Sequence, residues 1–157
     1  MSIPVDLLLI SWNRRDYFER TLNNLLGSDA NFRLYCWDNG SKDGVADILA
    51  DIKDERIAEK HFCPVNVMQG YPTEWFLEKS QSSIIGKIDD DTLVPHNWID
   101  IIGPAIHKHS KLGMVGCWTF WPDDFERNRQ KARDKIIQIG SHQILHNLQM
   151  IDFSPYC

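Results

Sequence analysis

Residues 5–14 read VDLLLISWNR, an almost unbroken apolar run that ends in polar residues. Strands that are buried on both faces of a parallel sheet have this near-continuous apolar pattern. The run is shorter than the ~20 apolar residues that cross a bilayer. It also lacks the basic leading segment and the small-residue cleavage site of a signal peptide. We therefore interpret it as a buried strand, and we expect neither a signal peptide nor a transmembrane segment.

Strand and helix patterns alternate along the rest of the chain. Apolar runs predict further strands, and helical spacing of apolar residues predicts helices. The predicted strands after the first are 31–37, 56–62, 83–88, 113–120, 135–140 and 142–147, and the predicted helices are 15–26, 44–52, 73–80 and 95–109. This alternation favours a three-layer α/β fold with a mostly parallel central sheet. With no internal repeat or shift in composition, residues 1–157 are predicted to form a single domain.

The composition is that of an ordinary globular protein. Of the 157 residues, 43% are apolar and 25% are charged, which excludes disordered and low-complexity classes. The net charge of −5 argues against a nucleic-acid partner. The four cysteines form no CxxC pair, and together with the lack of an export signal they favour reduced thiols and a cytoplasmic location.

The most informative motif is KIDDDT at residues 87–92, three consecutive carboxylates directly after an apolar strand. Carboxylates this close repel one another unless a cation neutralises them. A divalent ion that bridges carboxylates and substrate phosphates is the usual solution. In open α/β sheets, ligands bind beyond the carboxyl ends of the strands, where this motif lies. The alternative is a solvated acidic helix cap before Pro95.

Two other predicted strands also end in polar residues. Residues 37–41 read WDNGS, where Asp38 can accept a hydrogen bond from a nucleobase or a ribose hydroxyl. Residues 11–14 read SWNR, where Trp12 can stack on a base. Both have plainer interpretations, since Asp-Asn-Gly-Ser is also a common turn sequence and tryptophan is often a core residue.

Taken in order, three stretches resemble the nucleotide-sugar-binding, N-terminal part of family 2 glycosyltransferases of the GT-A fold. They are VDLLLISWNR at 5–14, LYCWDNGSKDG at 34–44 and IIGKIDDDTLVPHNW at 84–98. The last contains the family's DxD motif, with a proline and a tryptophan soon after. The resemblance covers about residues 3–150.

This resemblance implies a role for each matching residue. Asp38 would contact the nucleobase of the donor, most often uracil, and Ser11, Trp12 and Asn13 would line the same nucleotide pocket. Asp91 would bind Mn²⁺ or Mg²⁺ on the diphosphate. The other two acids are Asp89, which would contact the ribose or the metal, and Asp90, at the variable middle position. The implied activity is metal-dependent transfer of a sugar from a UDP-sugar to a carbohydrate hydroxyl, with inversion.

One expected part of the family pattern is not matched. Inverting members use a further carboxylate as general base, well beyond the DxD motif. The candidates here are Asp123, Asp124 and Asp152, none in a context that matches the family's base. The alternative function is therefore a nucleotide-sugar-binding domain without turnover, truncated at the acceptor-binding end. A phosphotransferase of the haloacid-dehalogenase type fits less well, because its acidic motif follows the first strand.

Overall fold

The computed structural model describes residues 5–108, 113–115, 136–139 and 142–145. Strands and helices alternate in the order that the sequence predicts. The strands are β1 (Val5–Ser11), β2 (Phe32–Asp38), β3 (Ile57–Phe62), β4 (Ile85–Asp89), β5 (Ile136–Ile139) and β6 (His142–Leu145). The helices are α1 (Arg15–Leu26), α2 (Val45–Asp51), α3 (Gly70–Lys79) and α4 (Trp98–Lys108).

The first four strands form one sheet in the order β3-β2-β1-β4. All three pairings are parallel, which confirms the predicted parallel sheet. The chain moves outward from β1 to β2 and β3, and then crosses back to place β4 on the other side of β1. The direction of winding therefore reverses between β1 and β4. A reversal of this kind opens a crevice at the carboxyl ends of the strands, where α/β proteins bind ligands.

The central strand β1 is buried on both faces. Leu8 packs on one face with Tyr35 of β2 and Phe76 of α3. Because successive side chains of a strand alternate, Leu7 and Leu9 point to the other face, and both are completely buried. Right-handed crossovers put α1 and α2 on that second face. The sheet is therefore the middle of three layers, as its apolar sequence predicts.

Two helices begin three residues away from their predicted starts. α3 begins at Gly70 rather than at Thr73, and it includes Pro72 in its first turn. Proline is tolerated there because the first N–H groups of a helix have no acceptor within the helix. α4 begins at Trp98 instead of Pro95.

The chain divides into two compact units, residues 1–103 and 104–157. In the second unit, β5 and β6 form an antiparallel pair in which Ile136 is aligned with Leu145. Residues 113–115 are not part of a strand, and the rest of the predicted strand 113–120 lies outside the described residues. Within the described ranges, no helix has the length and apolar character needed to cross a membrane. The single domain over residues 1–157 stays a prediction.

Candidate functional site

Three polar residues lie side by side where β2, β1 and β4 end. Ser11 is aligned with Asp38 across the β1–β2 pair, so both side chains point to the same face of the sheet. On its other side, Ser11 Oγ donates a 2.8 Å hydrogen bond to Asp90 Oδ2. All three residues are buried. Buried polar side chains are uncommon, and they mark either hydrogen-bonded structural networks or binding sites.

Asp90 is held from three directions. Besides the bond from Ser11, its backbone carbonyl accepts a 2.8 Å hydrogen bond from Thr21 Oγ1 of α1. Its second carboxylate oxygen, Oδ1, lies 3.3 Å from a guanidinium nitrogen of Arg14. The middle acid of the triplet is thus the one that the fold positions, although the sequence pattern assigns it the least certain role.

The same guanidinium nitrogen of Arg14 lies 2.6 Å from Asp91 Oδ2. Hydrogen bonds with Asp91 and Asp90 raise the pKa of Arg14 above its ordinary value, so this side chain stays charged. Asp89 is separate from this group, since its exposed carboxylate pairs with Lys87. The protein's own cations, Arg14 and Lys87, therefore supply part of the neutralisation that the acidic triplet requires.

Two carboxylate oxygens that converge on one cation form a donor set suited to a hard divalent ion. Among the residues that the structure describes, no three His, Cys, Asp or Glu side chains are grouped to hold a metal ion. Mg²⁺-type sites commonly use only one or two carboxylates and take their remaining ligands from substrate phosphates and water. The pair Asp90 and Asp91 fits that arrangement.

The loop after β2 is shaped around Asp38. Its Oδ1 accepts the backbone N–H of Ser41, three residues on, at 3.1 Å, which closes the turn. Gly40 has a φ of +79°, and a Cβ there would approach the backbone of Val65 to 2.8 Å. Only glycine fits this position. The turn keeps Asp38 beside Ser11 at the edge of the sheet.

Asn39 is a positioning residue that the sequence pattern did not single out. Its side chain donates to Asn66 Oδ1 and to the carbonyl of Met68, each at 2.9 Å. It accepts the backbone N–H of Val67, also at 2.9 Å. Its own N–H donates to the carbonyl of Ser11. Asn39 thus joins the ends of β1 and β2 to the loop before α3. An asparagine inside a turn sequence gives no sign of contacts about 30 positions away.

The loop after β1 is tied to the loop after β2. Asn13 has a left-handed φ of +53°, a conformation that asparagine tolerates better than most residues. Its Oδ1 accepts the N–H of Lys42 at 2.7 Å, and its N–H donates to Ser41 Oγ at 3.0 Å. Asn13 therefore positions the two loops relative to each other. Trp12 is 50% exposed, which leaves its indole open to a ligand.

The predicted residues thus divide into three groups. The first group is held by hydrogen bonds, which join Ser11, Asp90 and Asp91 through Arg14 and join Asn13 and Asp38 through Ser41. The second group, Trp12 and Asp89, lies at the exposed margin. The three candidate general bases lie outside the described residues; they are Asp123, Asp124 and Asp152. Arg14, whose role the sequence left open, joins two of the predicted acids.

Solved structures share this fold. Structural comparison pairs the chain with residues 1–349 of S. aureus TarS in complex with UDP-GlcNAc, at a TM-score of 0.61 and 16% identity, over 74% of this chain and 37% of that one. A mannosyltransferase, PcManGT from Pyrobaculum calidifontis in complex with GDP-Man and Mn²⁺, gives a TM-score of 0.61 and 19% identity, over 81% and 38% of the two chains. The chain thus spans less than two fifths of each neighbour's length.

Sequence comparison identifies the family. No curated protein sequence matches the chain at a significant level. The profile of glycosyl transferase family 2 matches residues 6–155, nearly the whole chain. That match includes all three motifs apart from Val5, and the parallel sheet is the one that GT-A glycosyltransferases share. The chain therefore belongs to glycosyltransferase family 2 and has the GT-A fold.

Proposed function

We propose that this chain binds a nucleoside-diphosphate sugar at the carboxyl edge of its sheet and transfers the sugar to an acceptor hydroxyl. One observation carries the proposal most directly. Asp38, Ser11 and Asp90 lie in a row across three strand ends, where the direction of winding reverses between β1 and β4. Crevices at such reversals are where α/β proteins bind nucleotides. Family membership supplies the class of reaction.

The base and the ribose would bind on the β2 side of the row. Asp38 has one carboxylate oxygen engaged by the turn at Ser41, and the other can accept an N–H of the base. The half-exposed indole of Trp12 offers a flat face to the same ligand. Asn13 and Ser11 hold the loops that frame the pocket. A contact of Asp89 with the ribose or with the metal stays a prediction.

The diphosphate would bind on the β4 side of the row. Asp91 is proposed to hold Mn²⁺ or Mg²⁺, with Asp90 beside it, because their carboxylates already share one cation. When bound, the metal would act as a Lewis acid that stabilises the leaving nucleoside diphosphate. Ser11 fixes the orientation of Asp90, and Thr21 holds the backbone at that point. One structural neighbour was solved with GDP-Man and Mn²⁺, which supports this use of the fold.

The finer features of the reaction are part of the proposal. The resemblance of the three motifs to the family favours UDP as the nucleotide, and one neighbour was solved with UDP-GlcNAc. The acceptor is proposed to be a carbohydrate hydroxyl and the stereochemistry inverting. A general base would come from the predicted acids; these are Asp123, Asp124 and Asp152. No nucleic-acid partner is expected for a chain of net charge −5, and the cytoplasmic location stays a prediction.

Binding and release assays test the proposal. We would titrate UDP and GDP into the chain by calorimetry in the presence of Mn²⁺. Asp38→Asn is expected to weaken UDP binding about tenfold, because it removes the charged carboxylate that accepts a hydrogen bond from the base. The matched control is Asp47→Asn, an exposed acid in the first turn of α2, which should leave binding unchanged.

The outcomes of these assays distinguish an active glycosyltransferase from a nucleotide-sugar-binding domain without turnover. Release of UDP from UDP-GlcNAc, or of GDP from GDP-mannose, would support turnover by this chain. Nucleotide binding without release would support the binding domain. If neither nucleotide binds, the donor-site proposal is wrong. If Asp38→Asn binds UDP as well as the wild type does, the assignment of the base pocket is wrong.

A further inference from the structure

Arg14 occupies the position where the two proposed metal-binding carboxylates converge. One of its guanidinium nitrogens lies 3.3 Å from Asp90 Oδ1 and 2.6 Å from Asp91 Oδ2. The other oxygen of Asp90 is engaged by Ser11, so Oδ1 is the oxygen left to face a cation. The arginine side chain is 49% exposed and that of Asp91 is 42% exposed. The contact therefore lies at the mouth of the site and is open to solvent.

The backbone aims Arg14 at these carboxylates. Asn13 adopts a left-handed turn that is fixed by Ser41 and Lys42. Arg14 follows directly and precedes the first turn of α1. Its guanidinium also lies 5.4 Å from the centre of the Tyr17 ring, a cation–π contact on the exposed side of α1. The side chain is thus anchored at its base and has a second contact besides the acids.

A guanidinium and a divalent ion cannot share these two oxygens without strong repulsion. Two carboxylates carry two negative charges, whereas Arg14 and a divalent ion together would carry three positive ones. Like charges within a few ångströms repel each other even at a half-exposed site, so the two cations compete for the same oxygens. A nucleoside diphosphate restores the balance, because it brings negative oxygens to which both cations can bind. Arginine binds phosphate oxygens well through its planar fork of donors.

We propose that Arg14 holds Asp90 and Asp91 while no donor is bound, leaves them when a divalent ion binds there, and then binds the donor diphosphate. This inference rests on the proposed function, since it assigns a residue to that same site. Arg14 is then a ligand-binding residue that also couples metal and nucleotide. Without nucleotide it competes with the metal, and with nucleotide it contributes to the complex. Metal and nucleotide should therefore strengthen each other's binding.

The test compares the affinity for Mn²⁺ alone with the affinity for UDP. Free Mn²⁺ is followed by electron paramagnetic resonance, first without nucleotide, and UDP is then titrated by calorimetry at saturating Mn²⁺. Arg14→Ala is expected to bind Mn²⁺ alone about fivefold more tightly than the wild type, because it removes the half-exposed arginine that competes for the two carboxylates. The same variant should bind UDP about tenfold more weakly, because a charged donor to the diphosphate is lost.

Two further variants control for charge. Arg15→Ala removes the same charge one position later from an exposed side chain, and should change neither affinity. Arg14→Lys keeps the charge without the planar fork and should fall between wild type and Arg14→Ala for both ligands. If Arg14 had only a structural role, its loss would weaken the binding of both Mn²⁺ and UDP. Tighter binding of Mn²⁺ together with weaker binding of UDP is the result specific to competition between Arg14 and the metal.

The outcomes are distinguishable from failure of the proposed function. If the wild type binds UDP with Mn²⁺ but Arg14→Ala binds Mn²⁺ alone equally well or more weakly, competition is overturned. If Arg14→Ala binds UDP as tightly as the wild type does, the diphosphate contact is overturned. If the wild type binds neither Mn²⁺ nor UDP, the proposed function fails, and this inference with it.

Discussion

The two ends of strand β1 hold acidic groups in opposite ways. At the amino end, Asp6 is completely buried and receives both arms of Arg33, at 2.7 and 2.8 Å, together with Ser80 Oγ at 2.7 Å. At the carboxyl end, Asp90 is buried, but Asp91 beside it is exposed to solvent. Both acids pair with an arginine, but the carboxylate of Asp6 is buried and has a structural role. The carboxylate of Asp91 is exposed and is available to a ligand.

The surroundings of Asp6 at the amino end of β1 also shift the pKa of its carboxyl group. Burial by itself would raise the pKa of Asp6, but hydrogen bonds from Arg33, Ser80 and the backbone of Gln81 outweigh it and lower that pKa below its ordinary value. The folded state therefore favours the charged form. Every contact of this acid is made within the protein, so we expect its loss to affect stability and not ligand binding.

The largest effect is expected from Arg33→Ala. This change leaves a completely buried carboxylate without its cation, which costs about 3 kcal/mol of unfolding free energy. Urea denaturation measures the loss, with Arg20→Ala on the exposed face of α1 as the matched control. A loss below about 1 kcal/mol would mean that the amino end of β1 is not the sealed structural site described here.

A somewhat smaller loss is expected from Asn39→Ala. It removes side-chain hydrogen bonds to Asn66, Met68 and Val67 from a buried position. We expect about 2 kcal/mol of lost stability, since several partners are left unsatisfied. Asn23→Ala, at an exposed position of α1, is the control. If both variants unfold at the same urea concentration, the carboxyl-end loops are not held by Asn39.

The pH dependence of stability gives a finer comparison. Because the pKa of Asp6 is lower in the folded state, its contribution to stability is complete above the ordinary carboxyl range and is lost as the pH falls through its folded value. Asp6→Asn has no such group. The stability gap between wild type and Asp6→Asn should therefore shrink when the pH is lowered from about 6 to about 3. Urea midpoints at each pH measure it; a constant gap would contradict the assignment.

The smallest effect on stability is expected at the open end. Asp91→Asn breaks an exposed ion pair with Arg14, and exposed pairs contribute about 0–1 kcal/mol. We expect the unfolding free energy to change by no more than about 0.5 kcal/mol. A loss as large as that of Arg33→Ala would show that both ends of β1 are structural. The contrast between the two ends would then fail.

The fold could be predicted from the sequence because its signals are local. The apolar run of β1 predicted a strand buried on both faces, and the structure confirms it over Val5–Ser11. The position of the acidic triplet at a strand end also follows from the order of apolar and charged residues. The start of α3 was predicted less well, since Pro72 and Gly70 look like helix breakers but lie in its first turn.

The details of the site depend on contacts between distant positions. Arg14 contacts Asp90 and Asp91 across 76 and 77 positions of the chain. No local pattern indicates which acid of the triplet faces Ser11. The sequence around Asn39 indicates only a turn, because the residues that Asn39 contacts lie far along the chain. The sequence therefore predicts which strand ends meet, whereas the hydrogen bonds show which side chains are held and which are free.

The most direct test of the central claim is a calorimetric titration of UDP, with and without Mn²⁺, into the wild type and Asp91→Asn. If the carboxyl edge of the sheet holds a nucleotide and a metal, Mn²⁺ should tighten UDP binding to the wild type by at least about tenfold and should have little effect on the variant. Equal responses of the two proteins to Mn²⁺ would contradict the site assignment. A wild type that binds no UDP under either condition would contradict the proposal that this edge of the sheet is a donor site.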